Sequence, residues 1–230
     1  MNLDPPPMLS DAVVLAAKDL RIELRSPSSA VGAITLGLIG LVVTGLATGP
    51  DPARLRTIAP GLAWLAVVYA AIAVSERLDR VDRDDDAFSD LWLSVADRRA
   101  IFVGKVFALT LILWTITLAL LVAAVILLNV EPSAVAVAMI PVAGLACVAL
   151  AGGAALATAA VGSSSRRILL LPVVLLPLLA PTLLAASQAT AALLDGRLDA
   201  ALPWAGLLVT QAALFAGVGL LVYDAGAALE

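Results

Sequence analysis

Residues 106–130 read VFALTLILWTITLALLVAAVILLNV, 25 consecutive positions without one Asp, Glu, Lys or Arg. At about 1.5 Å of rise per residue, such a segment in helical form crosses a hydrocarbon core roughly 30 Å thick. Five further charge-free stretches flank it, at 26–50, 57–75, 132–165, 168–194 and 200–223. Each is long enough for one crossing, and none holds two crossings with a turn between them. The chain as a whole is 62% hydrophobic and 14% charged, whereas soluble domains run near 45–50% apolar and about 25% charged. The pattern predicts an all-α, polytopic membrane protein with six transmembrane helices, forming a single domain over residues 1–230.

Several chemistries are excluded by counting. The chain has no histidine, and so lacks the usual general base, the commonest metal ligand and the common axial haem ligand. Cys147 is the single cysteine, which rules out an internal disulfide or a thiolate cluster. Of the two lysines, Lys18 and Lys105, neither ends a phosphate-binding loop, because Lys105 is followed by Val106 and Arg99 stands where the first glycine is needed. No Ser/His protease is possible, and no Gly-x-Gly-Asp signature of an intramembrane aspartyl protease occurs. The chain therefore reads as a non-enzyme on its own, with no bound cofactor or metal. Asp4 and Pro5-Pro6-Pro7 stand where a signal peptide would carry basic residues, so the N-terminus does not read as a cleaved leader.

Orientation follows the basic residues. With an internal start, Lys18, Arg21, Arg25, Arg77, Arg80, Arg83, Arg98, Arg99, Lys105, Arg166 and Arg167 lie inside, and only Arg54, Arg56 and Arg197 lie outside. Eleven against three places both termini in the cytoplasm. Trp204, beside Pro203, suits an outer interfacial position.

Residues 10–25 predict an amphipathic helix on the inner leaflet. Ser10 can cap it. Val13, Ala17, Leu20 and Leu24 share one face, with Lys18, Arg21 and Arg25 opposite and Pro27 as an elbow into the first span. Ser29, Ala33 and Gly37 give that span a small-residue face for close packing. Pro50, Asp51 and Pro52, after Gly49, form a rigid outer turn, and Pro60 falls near the start of span two, where a missing N–H costs little. Span four carries Gly144, Ala149, Gly152, Gly153 and Ala157, read as a tight packing face, with Met139 and Cys147 as core filler. Pro172, Pro177 and Pro181 in span five each remove an intrahelical hydrogen bond and predict a kinked or broken segment. Ser187 and Gln188 beyond them are polar groups available to a substrate or subunit. No ionisable residue lies inside a span, which disfavours ion-coupled secondary transport.

The segment 76–105 concentrates 14 of the 32 charged residues of the chain. Within it, Phe88, Leu91, Trp92 and Val95 follow helical spacing and make one apolar stripe. Asp84, Asp85 and Asp86 precede that helix, where carboxylates favour the positive end of its dipole. A helix resting on the membrane and a helix docking in a groove of a cytosolic partner both fit. An acidic segment against an anionic leaflet is unfavourable, which tilts the reading toward the partner.

Gly49-Pro50-Asp51-Pro52 followed by Ile58-Ala59-Pro60-Gly61-Leu62-Ala63-Trp64 resembles the haem exporter protein B family (CcmB). Arg77-Leu78, Leu91-x-Leu93-Ser94, Lys105, Arg166-Arg167 and Leu176-Pro177-Leu178-x-x-Pro181 continue the resemblance over roughly residues 10–225. The chain departs from the family pattern at Asp79 (usually aromatic), Asp86 (usually glycine) and Val95 (usually proline). The resemblance implies an ABC-2-type exporter permease in the bacterial inner membrane, the membrane subunit of the cytochrome c maturation transporter. It implies two copies per complex, a separate P-loop ATPase that binds ATP, and further membrane subunits, the complex handling haem. On that reading Asp84, Asp85, Asp86, Phe88, Leu91, Trp92 and Ser94 couple the chain to the ATPase. The alternatives are an ABC-2-type permease for another lipid-like or drug-like substrate, and a non-transport scaffold whose spans hold other subunits together.

Overall fold

The computed structural model describes residues 7–49, 51–84, 99–127, 134–161 and 167–227. Among these residues the chain forms seven α-helices and no strand: α1 (Pro7–Arg25), α2 (Ser28–Thr48), α3 (Pro52–Asp84), α4 (Arg99–Leu127), α5 (Met139–Val161), α6 (Arg167–Leu194) and α7 (Leu198–Ala227). A 3-10 turn over Ala134–Ala138 leads into α5. Helices α2 to α7 each contain a stretch long and apolar enough to cross a membrane, so the expected six spans are present, preceded by the separate helix α1.

Helices, and no open strands, are what lipid permits, because every backbone N–H and C=O in the hydrocarbon must be paired within its own segment. Helices α3, α4, α5 and α6 form the centre, with α2 flanking α3 and α4, and α7 flanking α5 and α6. Trp64, Leu113, Leu120, Leu150, Leu175, Leu179 and Leu193 fill the interior. Leu36, Val43, Leu65, Phe107, Val122, Val173 and Leu221 face outward. Since lipid is as apolar as leucine, close packing and interhelical hydrogen bonds hold such a bundle together. Trp64 Nε1 donates to Thr190 Oγ1 at 2.9 Å, fully buried, joining α3 to α6. Thr182 donates to Gln211, joining α6 to α7.

The small-residue faces pack as expected. Ala33, Gly37 and Leu41 form the buried face of α2. A Cβ on Gly37 would lie 2.5 Å from Leu120 Cδ2 and 3.0 Å from Ala66 Cβ. Within α5, Gly152 and Gly153 receive Phe215 of α7 and Leu179 of α6, while Ala149 and Ala157 are buried.

Two expectations about proline change. Helix α3 starts at Pro52, so Pro60 sits inside the helix and not at its entry. Pro52 takes the first-turn position instead, where its missing N–H is one of the unpaired groups anyway. Asp51 sits just ahead of it, Oδ1 accepting from the Arg54 N–H at 3.4 Å and Oδ2 pairing with Arg54 Nε at 3.2 Å. Helix α6 is continuous through Pro172, Pro177 and Pro181 and does not break into two. Pro177 and Pro181 face outward, so the rings and the carbonyls they free point away from α3, α5 and α7.

The outer turns close where the backbone demands glycine. Gly49 has φ +69° and Gly196 φ +75°, a region costly for side chains with a Cβ. At Gly196 the N–H donates to Leu193 O (3.0 Å) and the Arg197 N–H to Ala192 O (2.9 Å), a Schellman ending. Residues 76–84 and 99–105, expected within the cytoplasmic segment, continue α3 and α4. At 33 residues α3 is about 50 Å long, longer than the hydrocarbon is thick, so its last turns stand outside the membrane.

Replacing Gly37 by Leu is expected to cost about 1–3 kcal/mol through overpacking against Leu120 and Ala66. Gly40→Leu, where nothing lies within 4 Å, is expected to stay within about 0.5 kcal/mol of the parent. Thermal unfolding of both variants in the same detergent compares them.

Candidate functional site

The inner end of the bundle carries charges that neither lipid nor open water surrounds. Its base is α1. The buried face of this helix is Ala12, Leu15, Ala16, Asp19 and Glu23, at helical spacing. Of the expected apolar stripe, Val13 and Leu24 point outward at 64% and 79% exposed, while Ala17 is half-buried and Leu20 packs partly against the core. Thus α1 keeps an outward apolar stripe suited to the leaflet surface. Arg21 and Arg25 are exposed, and a third face, to which the sequence reading gave no role, carries an acidic seam of Asp19 and Glu23 turned into the protein. Opposite charges waiting on α3 and α4 explain the difference.

Helix α1 rests on α4 at Gly104. A Cβ there would meet Ala12 O at 2.8 Å and Leu15 Cβ at 2.9 Å, so only glycine lets the two backbones approach this closely. Beside it, Lys105 Nζ lies 2.7 Å from Asp82 Oδ2 and 3.7 Å from Asp79 Oδ1, both on α3. Lys18 of α1 also reaches Asp82, and its Nζ is 3.3 Å from Asp19 Oδ1. Asp82, 3% exposed, is therefore shared by two ammonium groups from two helices. Buried charges are tolerated only when paired in this way.

Asp19 is the strained member. It is 1% exposed, and its Oδ1 has no hydrogen-bond partner although Lys18 is near. Burial raises the Asp19 carboxyl above its ordinary value of 3.8, against the pull of Lys18. The folded protein therefore holds this proton more tightly than the unfolded chain does, and stability falls as the pH rises from the unfolded value through the raised native one.

Two further ties surround this centre. Glu23 Oε2 pairs with Arg77 Nη1 at 3.0 Å, and Glu23 Oε1 accepts the Ala30 N–H at 3.2 Å. One carboxylate thus joins the end of α1, the first turn of α2 and the side of α3, at the positive end of the α2 dipole. Arg77 also donates to Ser26 O, across the elbow. On the far side, Arg99 of α4 grips Asp224 of α7 with a fork, Nη2–Oδ2 2.6 Å and Nε–Oδ1 3.2 Å. The Phe102 ring covers Gly219 and tilts against Tyr223 at 5.5 Å.

Of the residues singled out in the sequence, Asp85, Asp86, Phe88, Leu91, Trp92, Ser94 and Pro50 lie outside the described residues, as does the side chain of Asp84. What the structure brings together is the pair of helices from which that segment springs. Lys18, Asp19, Glu23, Asp82, Gly104, Arg77, Asp79 and Lys105 went unmarked as site residues, Arg77 and Lys105 entering only through the charge distribution, the missing phosphate-binding loop and the family comparison, and Asp79 only through the last. A usable signal existed, since Ala12, Leu15, Ala16, Asp19 and Glu23 follow a helical face. Asp79, where the chain departs from the family pattern, is buried and faces Lys105.

Within the membrane, α2, α3 and α6 enclose an apolar groove of about 390 Å³ open to the bilayer, with Leu36, Gly40, Tyr69 and Leu176 on its walls. Among the described residues no group of three or more His, Cys, Asp or Glu is placed to hold a metal ion.

Six spans, an interfacial helix and an ionic cluster at one end define a polytopic helical membrane protein whose polar machinery lies at its inner face. Residues 10–230 match the family model described as CcmB protein. Heme exporter protein B of Bradyrhizobium diazoefficiens is 30% identical over 199 residues, covering 83% of this chain and 85% of that protein. The proteins of the same name from Escherichia coli K12 and Haemophilus influenzae are 31% and 32% identical over 90 and 91 residues. Those two matches span about two-fifths of each relative, 41% in both cases. The chain belongs to the CcmB family. It is a multi-pass protein of the bacterial inner membrane.

Asp82→Asn, which strips two ammonium groups of their shared partner, is expected to destabilise the protein by about 3–5 kcal/mol. Asp19→Asn is expected to be neutral or stabilising near neutral pH. It should also flatten the loss of stability on raising the pH above 4, read as thermal midpoints of parent and variant across a pH series.

Proposed function

We propose that this chain is the membrane permease subunit of an ABC transporter for cytochrome c maturation. In this role it couples ATP hydrolysis on a separate P-loop subunit to rearrangement of its own helices, and the complex exports haem or releases a haem-loaded chaperone. The carrying observation is membership of the CcmB family across residues 10–230, together with relatives named heme exporter protein B. The composition agrees. A chain with no phosphate-binding loop must borrow its ATPase, and one with no histidine leaves haem ligation to other subunits. ATP is held by the partner, and this chain holds no cofactor of its own.

The coupling surface is the segment between α3 and α4. Asp84, Asp85 and Asp86 lead into the stripe of Phe88, Leu91 and Trp92, with Ser94 beside it, and the stripe enters a groove on the ATPase. Two copies of the chain pair with two ATPase copies, alongside further membrane subunits that handle haem.

Purification of the tagged chain from its native membrane in mild detergent is expected to bring down a stoichiometric P-loop ATPase and a haem-handling membrane protein, both identified by mass spectrometry. The ATPase without the haem-handling protein would favour an ABC-2-type permease for another lipid-like or drug-like substrate. Neither would favour a scaffold. The double variant Leu91→Asp/Trp92→Asp is expected to lower the co-purified ATPase at least tenfold while the spans remain folded. Unchanged ATPase binding and turnover would sink the coupling assignment.

A further inference from the structure

Asp82 lies two residues before α3 ends, and Lys105 lies six residues after α4 begins. Their ion pair therefore ties together both roots of the segment 85–98. The same carboxylate holds Lys18 of α1, and Gly104, next to Lys105, is the point where α1 touches the α4 backbone. Helix α1 packs along α4 and barely touches α2, to which it is joined by Ser26 and Pro27, outside either helix.

We propose that Lys18, Asp82 and Lys105 are positioning residues that make α1 and the two roots of segment 85–98 one mechanical unit. A displacement delivered at that segment then reaches α1 directly and α7 through Arg99–Asp224. This inference rests on the permease reading above and adds the route by which a pull on the segment leaves it. Side chains packed in two discrete arrangements can carry such coupling between elements. An ionic tie buried against a glycine seat moves as a block, since separating it would leave carboxylates unpaired out of water. The elbow at Ser26–Pro27 is where the block can turn against α2.

A purely structural cluster predicts a different outcome from a coupling cluster, and two variants separate them. The triple variant Asp79→Asn/Asp82→Leu/Lys105→Met replaces the buried pair with uncharged groups that keep α3 and α4 packed, and frees Lys18, which already reaches solvent. Gly104→Val leaves every charge in place and wedges α1 off its seat. Lys105→Arg serves as the conservative control. Each is combined with Ala16→Cys, a site 2% exposed in the parent, while the native Cys147 is buried. The tagged complex is purified into lipid nanodiscs. Maleimide labelling of the introduced cysteine, co-purified ATPase, ATP turnover and cellular yield of c-type cytochrome are then measured.

The triple variant is expected to unfold near the parent's temperature and Gly104→Val a few degrees below it, with both keeping the ATPase bound and turning over. Ala16→Cys should label at least tenfold faster, and the cytochrome yield should fall at least tenfold. Lys105→Arg should stay within about twofold of the parent. Unchanged labelling, or fast labelling with a normal cytochrome yield, would overturn the inference while leaving the permease reading intact. Loss of folding in both variants, with every other readout falling in proportion, would show a cluster that only holds the fold, and would overturn it too. Absence of any ATPase from the parent complex overturns the permease reading, and this inference falls with it.

Discussion

A lysine held between carboxylates at the edge of a membrane sets the terms for the rest of the molecule. Lys105 is 8% exposed and Asp82 3%, and neither charge survives away from water without the other. Their pairing fixes the register of α3 against α4 at the inner end. That register in turn brings Gly104 to the surface where α1 can lie on it. Charges that would be excluded from lipid are thus placed where they organise three helices, and the hydrocarbon-spanning parts keep only neutral groups.

The spans themselves use a different physics. Apolar burial gives little preference for helix over lipid, so packing faces are cut from small residues and a few hydrogen bonds. Gly37 admits Leu120 and Ala66, Gly153 admits Leu179, and Gly219 admits Phe102. Trp64 and Thr190 supply one buried interhelical bond. Pro177 and Pro181 of α6 illustrate the same economy, because their rings face outward and the helix continues past them.

Much of this was readable beforehand in particular residues. Charge-free runs such as 106–130 announced the spans, and Ala33 and Gly37 announced the packing face of α2. The second and fifth spans were legible as apolar segments, yet Pro60 misled because its helix begins earlier, at Pro52, and the break that the α6 prolines allowed does not occur. Helix α1 was legible as amphipathic and its contacts were not. Asp19 and Glu23 look like surface acids until Lys105 and Arg77, more than fifty positions away, are folded beside them. The segment 85–98 stands apart, since its stripe of Phe88, Leu91 and Trp92 is a pattern in the sequence alone.

The amino-acid sequence by itself determined the class of protein, the number of apolar spans, the uneven placement of the basic residues and the lack of a phosphate-binding loop motif or a histidine. These follow from composition and local runs, which the bilayer reads one segment at a time. Tertiary structure alone decided which face of α1 is buried, that Asp82 serves two lysines, that Glu23 joins the end of one helix to the start of a second and the side of a third, and that α6 runs on through its prolines. Each of these depends on groups distant in the chain meeting in a low-dielectric place, where a charge is stable only beside its partner.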